Sequence, residues 1–286
     1  MAQLLKGKEV VDAMMASIQR DVTALKARGV APTLGIIRVG ERDDDISYEK
    51  GATKRAEGAG VAIRNYLLPA DAKQQALLDV IRGVNEDTGV HGVLLFRPLP
   101  AQFDDNTIRA ALLPAKDIDG ITDGSLAGVF ANTATGFPPC TASSCMAILA
   151  HYGIEIAGKR VVVVGRSLVI GRPVAMMLMH KNGTVTICHT KTKNPGAVVK
   201  EADIVIVAAG QPESAGKDYF REGQIVIDVG IHVKADGKMC GDVKFAEAEP
   251  IVTAITPVPG GVGTVTTSVS MRHVVDAALR STGQKS

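Results

Sequence analysis

The segment with the clearest chemical potential is Gly165-Arg166-Ser167-Leu168-Val169-Ile170-Gly171-Arg172-Pro173, which follows directly on the apolar run Val161 to Val164. A glycine turn between a strand and a helix leaves backbone N–H groups unpaired at the positive end of the helix dipole, and this suits a pyrophosphate. The pattern is GxSxxxGxP rather than GxGxxG, and glycine turns of this kind are common in α/β proteins, so the next strand decides how it is read. That strand ends at His189-Thr190-Lys191-Thr192-Lys193. A fold selective for NAD usually places an acid there to accept from the ribose hydroxyls. No acid is present, whereas Arg166, Thr190 and the two lysines offer donors to a 2′-phosphate. The spacing therefore predicts NADP as the preferred dinucleotide, with NAD possible; the bland alternative is a solvated basic loop.

Other chemistries are poorly represented. No Ser-His-Asp or Cys-His arrangement stands out among the six histidines. Cys140, Cys145, Cys188 and Cys240 are irregularly spaced with no CxxC pair, which argues against a zinc site and against a disulfide framework. They read as small buried fillers, and no metal is expected. The 32 basic and 30 acidic side chains nearly cancel, and aromatic residues make up 3% with no Trp. This composition argues against nucleic acid and against carbohydrate-stacking surfaces as what the chain recognises, and small ligands remain. Met1 to Lys8 lacks an apolar stretch of signal-peptide length, and no later run approaches membrane-spanning length, so the expectation is a cytoplasmic protein with no membrane partner.

The elements that must position these residues follow from periodicity. With 286 residues and 46% hydrophobic content the chain can bury a sizeable core in one or two domains. Val11, Met14, Ile18, Val22 and Leu25 make one apolar helical stripe ending near Gly29. Strands are predicted at Leu34 to Val39, Val61 to Leu68 and Gly92 to Phe96, the last stopped by Pro98 and Pro100. Helices are predicted from about Asp44 to Gly58 and after Asp71, which with Gln74 resembles a capping box. Leu113 to Pro139, rich in Asp, Gly, Thr and Pro, reads as a long connection carrying functional residues. Thr141 is placed as the cap of a helix running to Tyr152. Strands at Lys159 to Val164, Thr184 to Cys188, Ile204 to Ala208 and Gln224 to Asp228 then alternate with helices near Gly171 and across Gly196 to Ala202. Alternation of this kind implies a doubly wound α/β sheet. A last helix, from about Thr266 to Leu279, is expected to return to the first unit.

Several segments, taken together and in order, resemble one family. They are Val39-Gly40 with Ser47-Tyr48, Arg97-Pro98-Leu99-Pro100, Lys116-Asp117-Ile118-Asp119-Gly120, Gly165 to Pro173, Ala209-Gly210-Gln211-Pro212, Asp228-Val229-Gly230-Ile231 and Thr256 to Gly263. The family is the bifunctional methylenetetrahydrofolate dehydrogenase/cyclohydrolases, or FolD-type proteins, and the similarity covers nearly the whole chain. It implies two α/β domains with a cleft between them: a folate-binding catalytic domain at 1–139, joined by the carboxy-terminal helix 266–286, and a Rossmann-like NAD(P)-binding domain at 140–265. It also implies a homodimer acting on tetrahydrofolate derivatives in one-carbon metabolism. By the same resemblance, Asp119 looks like the carboxylate that accepts paired donors from the pterin, and Tyr48 like the tyrosine that stacks on it. Substrate contacts are expected from Phe96, Arg97, Pro98, Pro257, Gly260, Gly261, Val262 and Gly263. Cofactor contacts are expected from Gly165, Arg166, Ser167, Gly171, Pro173, Thr190 and Ile231.

The sequence departs from the family where cyclohydrolase chemistry resides. A lysine one turn after the tyrosine and a glutamine before Pro-Leu-Pro are usual, and here these positions are Ala52 and Phe96. Lys50 and Lys54 flank the gap, but two residues along a helix turn a side chain by about 200°. The expectation is oxidation of 5,10-methylenetetrahydrofolate to the methenyl compound with loss of cyclohydrolase activity. Arg97 is the group that could still supply a positive charge. Thr264, where proline is usual, is a further departure. The alternatives are a bifunctional enzyme or a catalytically silent nucleotide-binding protein.

Overall fold

The computed structural model describes residues 1–283, so the end of the expected 266–286 helix lies outside the described residues. In chain order the elements are β1 (Gln3–Leu4), α1 (Gly7–Ala27), β2 (Thr33–Val39), α2 (Asp43–Ala59), β3 (Ala62–Leu68), α3 (Gln74–Glu86), β4 (Gly92–Leu95), α4 (Asp105–Ala111), α5 (Asp123–Ala131) and α6 (Cys140–His151). They continue as β5 (Arg160–Val164), α7 (Gly171–His180), β6 (Thr184–Cys188), α8 (Pro195–Lys200), β7 (Ile204–Val207), β8 (Ile225–Asp228), β9 (His232–Val233), β10 (Met239–Cys240), α9 (Phe245–Ala248), β11 (Ala254–Ile255) and α10 (Val262–Ser281). The chain forms two compact units, one of Met1–Asp12 with Thr141–Thr266 and the other of Ala13–Cys140 with Thr267 onward.

The unit holding Ala13–Cys140 is built on a three-stranded parallel sheet in the order β3-β2-β4. Side chains alternate across a strand, and β2 and β4 are buried on both faces. Leu34, Ile36 and Leu94 pack with Ile18 and Val22 of α1, Ala52 and Ala56 of α2, and Met271 and Val274 of α10. Ile37, Val39, Val93 and Leu95 face the other way, onto Leu77, Ile81 and Val84 of α3 and Ile108 of α4. Each such fully buried aliphatic side chain contributes about 1.5–3 kcal/mol.

In the other unit, six parallel strands run in the order β1-β11-β8-β7-β5-β6. The β-branched run Val161-Val162-Val163 is buried on both faces, as a central parallel strand requires. β5 has β6 on one side and β7 on the other, so the strand order reverses at its carboxyl end. A doubly wound sheet opens its ligand crevice at that point.

Several local expectations are corrected. Asp71 is not a cap: α3 begins at Gln74 after Lys73, with no side-chain cap, and Gln74 Oε1 instead accepts from Asp104 N at 2.7 Å. Thr141 lies inside α6 rather than before it. The connection from Leu113 to Pro139 contains a 3-10 turn at Pro114–Lys116 and all of α5. Thr122 caps α5 through Oγ1, which accepts from Ser125 N at 3.1 Å. α4 and the short strands β1, β9, β10 and β11 had no predicted counterpart.

The loop before α5 is held by Asp117, whose buried carboxylate accepts from Ile121 N at 3.0 Å, Thr122 N at 2.8 Å and Ser125 Oγ at 2.7 Å. Removing it strands three donors away from water. Asp117→Ala should therefore lower the unfolding free energy by about 2–4 kcal/mol, measured by urea denaturation.

Candidate active site

The Lys116-Asp117-Ile118-Asp119-Gly120 segment divides its labour by side chain. Lys116 Nζ donates to the Val84 and Asp87 carbonyls at the end of α3, each at 2.5 Å. Asp117 builds the loop, and Ile118 is fully buried in the apolar cluster beneath it. Gly120 has φ +66°, and a Cβ there would lie 2.4 Å from Pro139 N, so only glycine fits. Asp119 is the carboxylate left half-buried, with part of its surface open. Burial pushes its pKa up to about 6, against hydrogen bonds from Cys140; Asp117 adds to the rise and Arg97 opposes it.

Beside this loop Tyr48, on α2 and 40% exposed, meets Phe96 edge to face with ring centroids 5.8 Å apart. Phe96 and Ala52 are both buried in the cluster that contains Ile118 and Phe137. The position expected to carry a lysine is thus a methyl group in the core, and the glutamine position is an aromatic wall. Lys50 and Lys54 line a different surface, a pocket of about 550 Å³ with Arg38, Glu49, Thr53 and Glu57. Arg97 is held by Asp105, with Nε at 2.7 Å and Nη2 at 2.5 Å from its two carboxylate oxygens. Arg42 Nη1 donates to the Pro98 carbonyl at 3.1 Å.

The remaining sequence-predicted site residues lie in the other unit. Gly165 leaves β5 with φ +133°, and a Cβ there would fall 2.1 Å from the Ala208 carbonyl that follows β7. The glycine turn therefore sits at the reversal of strand order. Arg166 and Ser167 are exposed, Ser167 Oγ accepts from Ile170 N at 3.2 Å, and Gly171 and Pro173 are buried where α7 begins. Val164 pairs with Cys188, so the turn after β6 emerges beside it. His189 N donates to Thr192 Oγ1 at 2.9 Å and His189 Nδ1 accepts from Lys191 N at 3.1 Å, which leaves Arg166, Thr190, Lys191 and Lys193 exposed.

A second pocket in this unit, about 200 Å³, is lined by Ile231, Met239 and Pro257 to Thr264. Pro257, Gly260, Gly261, Val262 and Gly263 thus line one pocket together with Ile231. Two carboxylates that the sequence reading did not single out hold its rim. Asp228 accepts from Gly230 N, Asp242 N and Val243 N, each at 3.0 Å, and burial lifts its pKa to about 7. Fully buried Asp242 accepts from Gly210 N at 3.0 Å, Gln211 N at 2.9 Å and His232 Nε2 at 2.7 Å. A buried polar residue at a strand's carboxyl end, as at Asp228, was the available signal.

A parallel sheet with a glycine turn at its switch point, exposed cations beside that turn and no acid among them, defines a dinucleotide-binding α/β protein. Its partner unit carries a half-buried carboxylate beside an aromatic pair. Residues 5–119 match the tetrahydrofolate dehydrogenase/cyclohydrolase catalytic domain, and residues 139–282 match the NAD(P)-binding domain of the same enzymes. The chain belongs to the tetrahydrofolate dehydrogenase/cyclohydrolase family. It is 47% identical over 279 residues to the bifunctional protein FolD of Carboxydothermus hydrogenoformans, covering 97% of each chain. The crystal structure of the bifunctional FolD of Campylobacter jejuni superposes with a TM-score of 0.95 at 35% identity, over 98% of this chain and 99% of that one. The Trypanosoma brucei FolD, solved with NADP cofactor and an inhibitor, gives 0.91 at 34% identity over 98% of both. Among the described residues no helix is long and apolar enough to cross a membrane.

The raised pKa of Asp119 has a stability consequence of fixed sign. Between about pH 4 and 6 the folded chain keeps a proton that the unfolded chain has released, so this group's contribution is full below about pH 4 and is lost as pH rises through about 6. Urea denaturation across that window should show Asp119→Asn losing less stability than the parent, by on the order of 1–2 kcal/mol.

Proposed function

We propose that this protein oxidises 5,10-methylenetetrahydrofolate to 5,10-methenyltetrahydrofolate with NADP as the preferred acceptor. The observation that carries the reading is Asp119, a half-buried carboxylate on a braced loop in a unit whose matched domain is the catalytic one. Asp119 accepts the paired N–H donors of the pterin, worth about 1.5–3 kcal/mol as charge-assisted hydrogen bonds. Tyr48 offers its exposed ring as the stacking face, and Phe96 braces that ring from behind. The methylene carbon lies between two nitrogens whose lone pairs stabilise the cation left when hydride departs, so no side-chain base is needed and alignment is the protein's task.

When bound, the oxidised nicotinamide supplies the hydride acceptor. The residues present fit a dinucleotide: the Gly165 turn leaves room for backbone to approach phosphate, and Arg166, Thr190 and Lys191 provide donors where a 2′-phosphate attaches. Ile231 and Pro257 to Gly263 form the wall assigned to the nicotinamide and folate. The Trypanosoma brucei relative, solved with NADP, supports this choice of cofactor.

Two readings of the second reaction rest on different observations. The relatives named above are called bifunctional, and this favours a retained cyclohydrolase. The chain's own residues favour its loss, because ring opening of the methenyl cation needs an activated water and Ala52 and Phe96 supply neither base nor amide. Arg97, tied to Asp105, is the cation that a retained activity would have to use. A cytoplasmic homodimer is part of the same proposal, on the strength of the family resemblance.

Purified protein mixed with methylenetetrahydrofolate and NADP should generate the near-ultraviolet absorbance of a dihydronicotinamide, and no signal with either dinucleotide would overturn the assignment. Asp119→Asn should cut kcat/KM for the folate roughly 10- to 100-fold while leaving NADP affinity unchanged. Arg166→Ala should raise KM for NADP about tenfold or more and leave KM for NAD nearly unmoved. Decay of added methenyltetrahydrofolate decides the second reaction: acceleration proportional to enzyme concentration means the cyclohydrolase is retained, and an uncatalysed rate means it is lost.

A further inference from the structure

Arg97 and Asp119 each follow a residue of one buried cluster, Phe96 and Ile118. Their segments run side by side: Val93 of β4 and Asp117 form a parallel bridge, so both chains leave the sheet at the same edge. A series of side chains then ties them together. Arg97 donates from Nε to Asp105 Oδ1 at 2.7 Å and from Nη2 to Asp105 Oδ2 at 2.5 Å. Asp105 Oδ2 also accepts from Arg109 Nε at 3.2 Å. Arg109 Nη1 in turn donates to the Ile121 carbonyl at 2.9 Å, two residues beyond Asp119.

An exposed ion pair between two flexible side chains contributes little and is seldom fixed in place. This one is braced. Asp105 opens α4, whose N-cap Asp104 accepts from Asn106 N and Thr107 N. Arg109, one turn along the same helix, has a side chain only 14% exposed and is also held by Asp123 and Asn106. The Arg97 fork keeps the Asp105 carboxyl below the usual carboxylate range, against the opposing effect of burial. Engagement of both Nε and Nη2 fixes the plane of the Arg97 guanidinium, and Nη1 has no acceptor among the described residues. The Arg97 side chain is about a third exposed, so these remaining donors are oriented and open.

A pterin edge of the 2-amino-4-oxo type presents an amino N–H, a ring N–H and a carbonyl oxygen in a row. A carboxylate only accepts, so it serves the two N–H groups. The carbonyl then needs a donor beside that carboxylate, and an arginine only donates. Ala52 and Phe96 at the same corner are apolar and cannot serve it. We infer that Arg97 is the specificity-determining donor to the 4-oxo group of the pterin, and that Asp105 is the positioning residue that aims it. This inference deepens the role proposed for Asp119 and rests on it.

Two competitive probes test it: folic acid, which carries the 4-oxo group, and its 4-amino-4-deoxy analogue, which presents an N–H there. Inhibition constants for both, read against methylenetetrahydrofolate oxidation, are compared in the parent, Arg97→Met and Asp105→Asn. The analogue also alters the ring N–H that faces Asp119, but this is common to all three proteins, so the change in the ratio of the two constants isolates Arg97. The parent should favour folic acid about tenfold or more. That preference should shrink about 5- to 10-fold in Arg97→Met and about 3-fold in Asp105→Asn, with KM for the substrate raised more than kcat is lowered. An unchanged ratio in Arg97→Met overturns the donor role, and an unchanged ratio in Asp105→Asn overturns the positioning role, while the assignment of Asp119 stands. A parent that oxidises the substrate but is not inhibited by folic acid, which has the same edge, also overturns the inference. A parent that does neither sinks the assignment of Asp119 instead. Should Arg97→Met not fold, the Arg97 side-chain N–H resonances of the parent, identified by their loss in Arg97→Lys, supply the answer. They should move downfield with folic acid and not with the analogue, and unmoved resonances overturn the inference.

Discussion

Buried carboxylates that collect backbone N–H groups are the interaction on which this structure depends. In a parallel sheet every strand delivers its loop at the same edge, and those loops carry donors that neither the ladder nor water can satisfy. A carboxylate presents about four acceptor sites and no competing donor, so one side chain can fix a whole turn. Asp117 does this for the segment bearing Asp119, and Asp228 and Asp242 do it for the segments bearing Ile231 and Gly210. Desolvation is the opposing effect, and it is visible in Asp228, whose three donors do not bring its pKa down to the usual range.

Asp119 obeys the same chemistry with a different outcome. It is only half-buried as a residue, yet burial dominates over the neighbouring donors and holds its pKa at about 6. Two neighbouring acids in one short motif thus differ in how many donors each has captured: Asp117 takes two backbone N–H groups and the Ser125 hydroxyl, and the binding role is the one proposed for Asp119. The packing beside them bears on which of the family's two reactions the chain performs. Removing hydride from a carbon between two nitrogens asks for alignment, whereas opening the resulting ring asks for water and a base. Ala52 and Phe96 fill that corner with apolar surface, and the same side chains are part of the core that holds α2 against β2 and β4.

Much of the frame was legible because it rests on periodicity. The run Val161 to Val164, the short apolar run Leu34 to Val39 and the stripe from Val11 to Leu25 all form the elements their patterns predict. The glycine turn at Gly165 was also readable, since its position between a strand and a helix is a local property. What escaped the sequence was set by distant partners. Asp71 and Gln74 have the spacing of a capping box, but Gln74 is drawn to Asp104, thirty residues on. α5 was hidden in a stretch rich in turn-forming residues because its first turn depends on Thr122 and on Asp117 five positions earlier. The grouping of Cys140 with His273 spans more than a hundred residues, and no local pattern announces it.

β1 shows what such distant pairing means for a chain made from one end. Gln3 and Leu4 find their hydrogen-bonding partners at Ala254 and Ile255. During vectorial synthesis Gln3 and Leu4 must therefore wait, unpaired, until Ala254 and Ile255 have followed them out of the ribosome. The pairing of β1 with β11 closes a seam between segments far apart in the sequence, so a ribosome that stalls between them leaves that sheet's border unsewn.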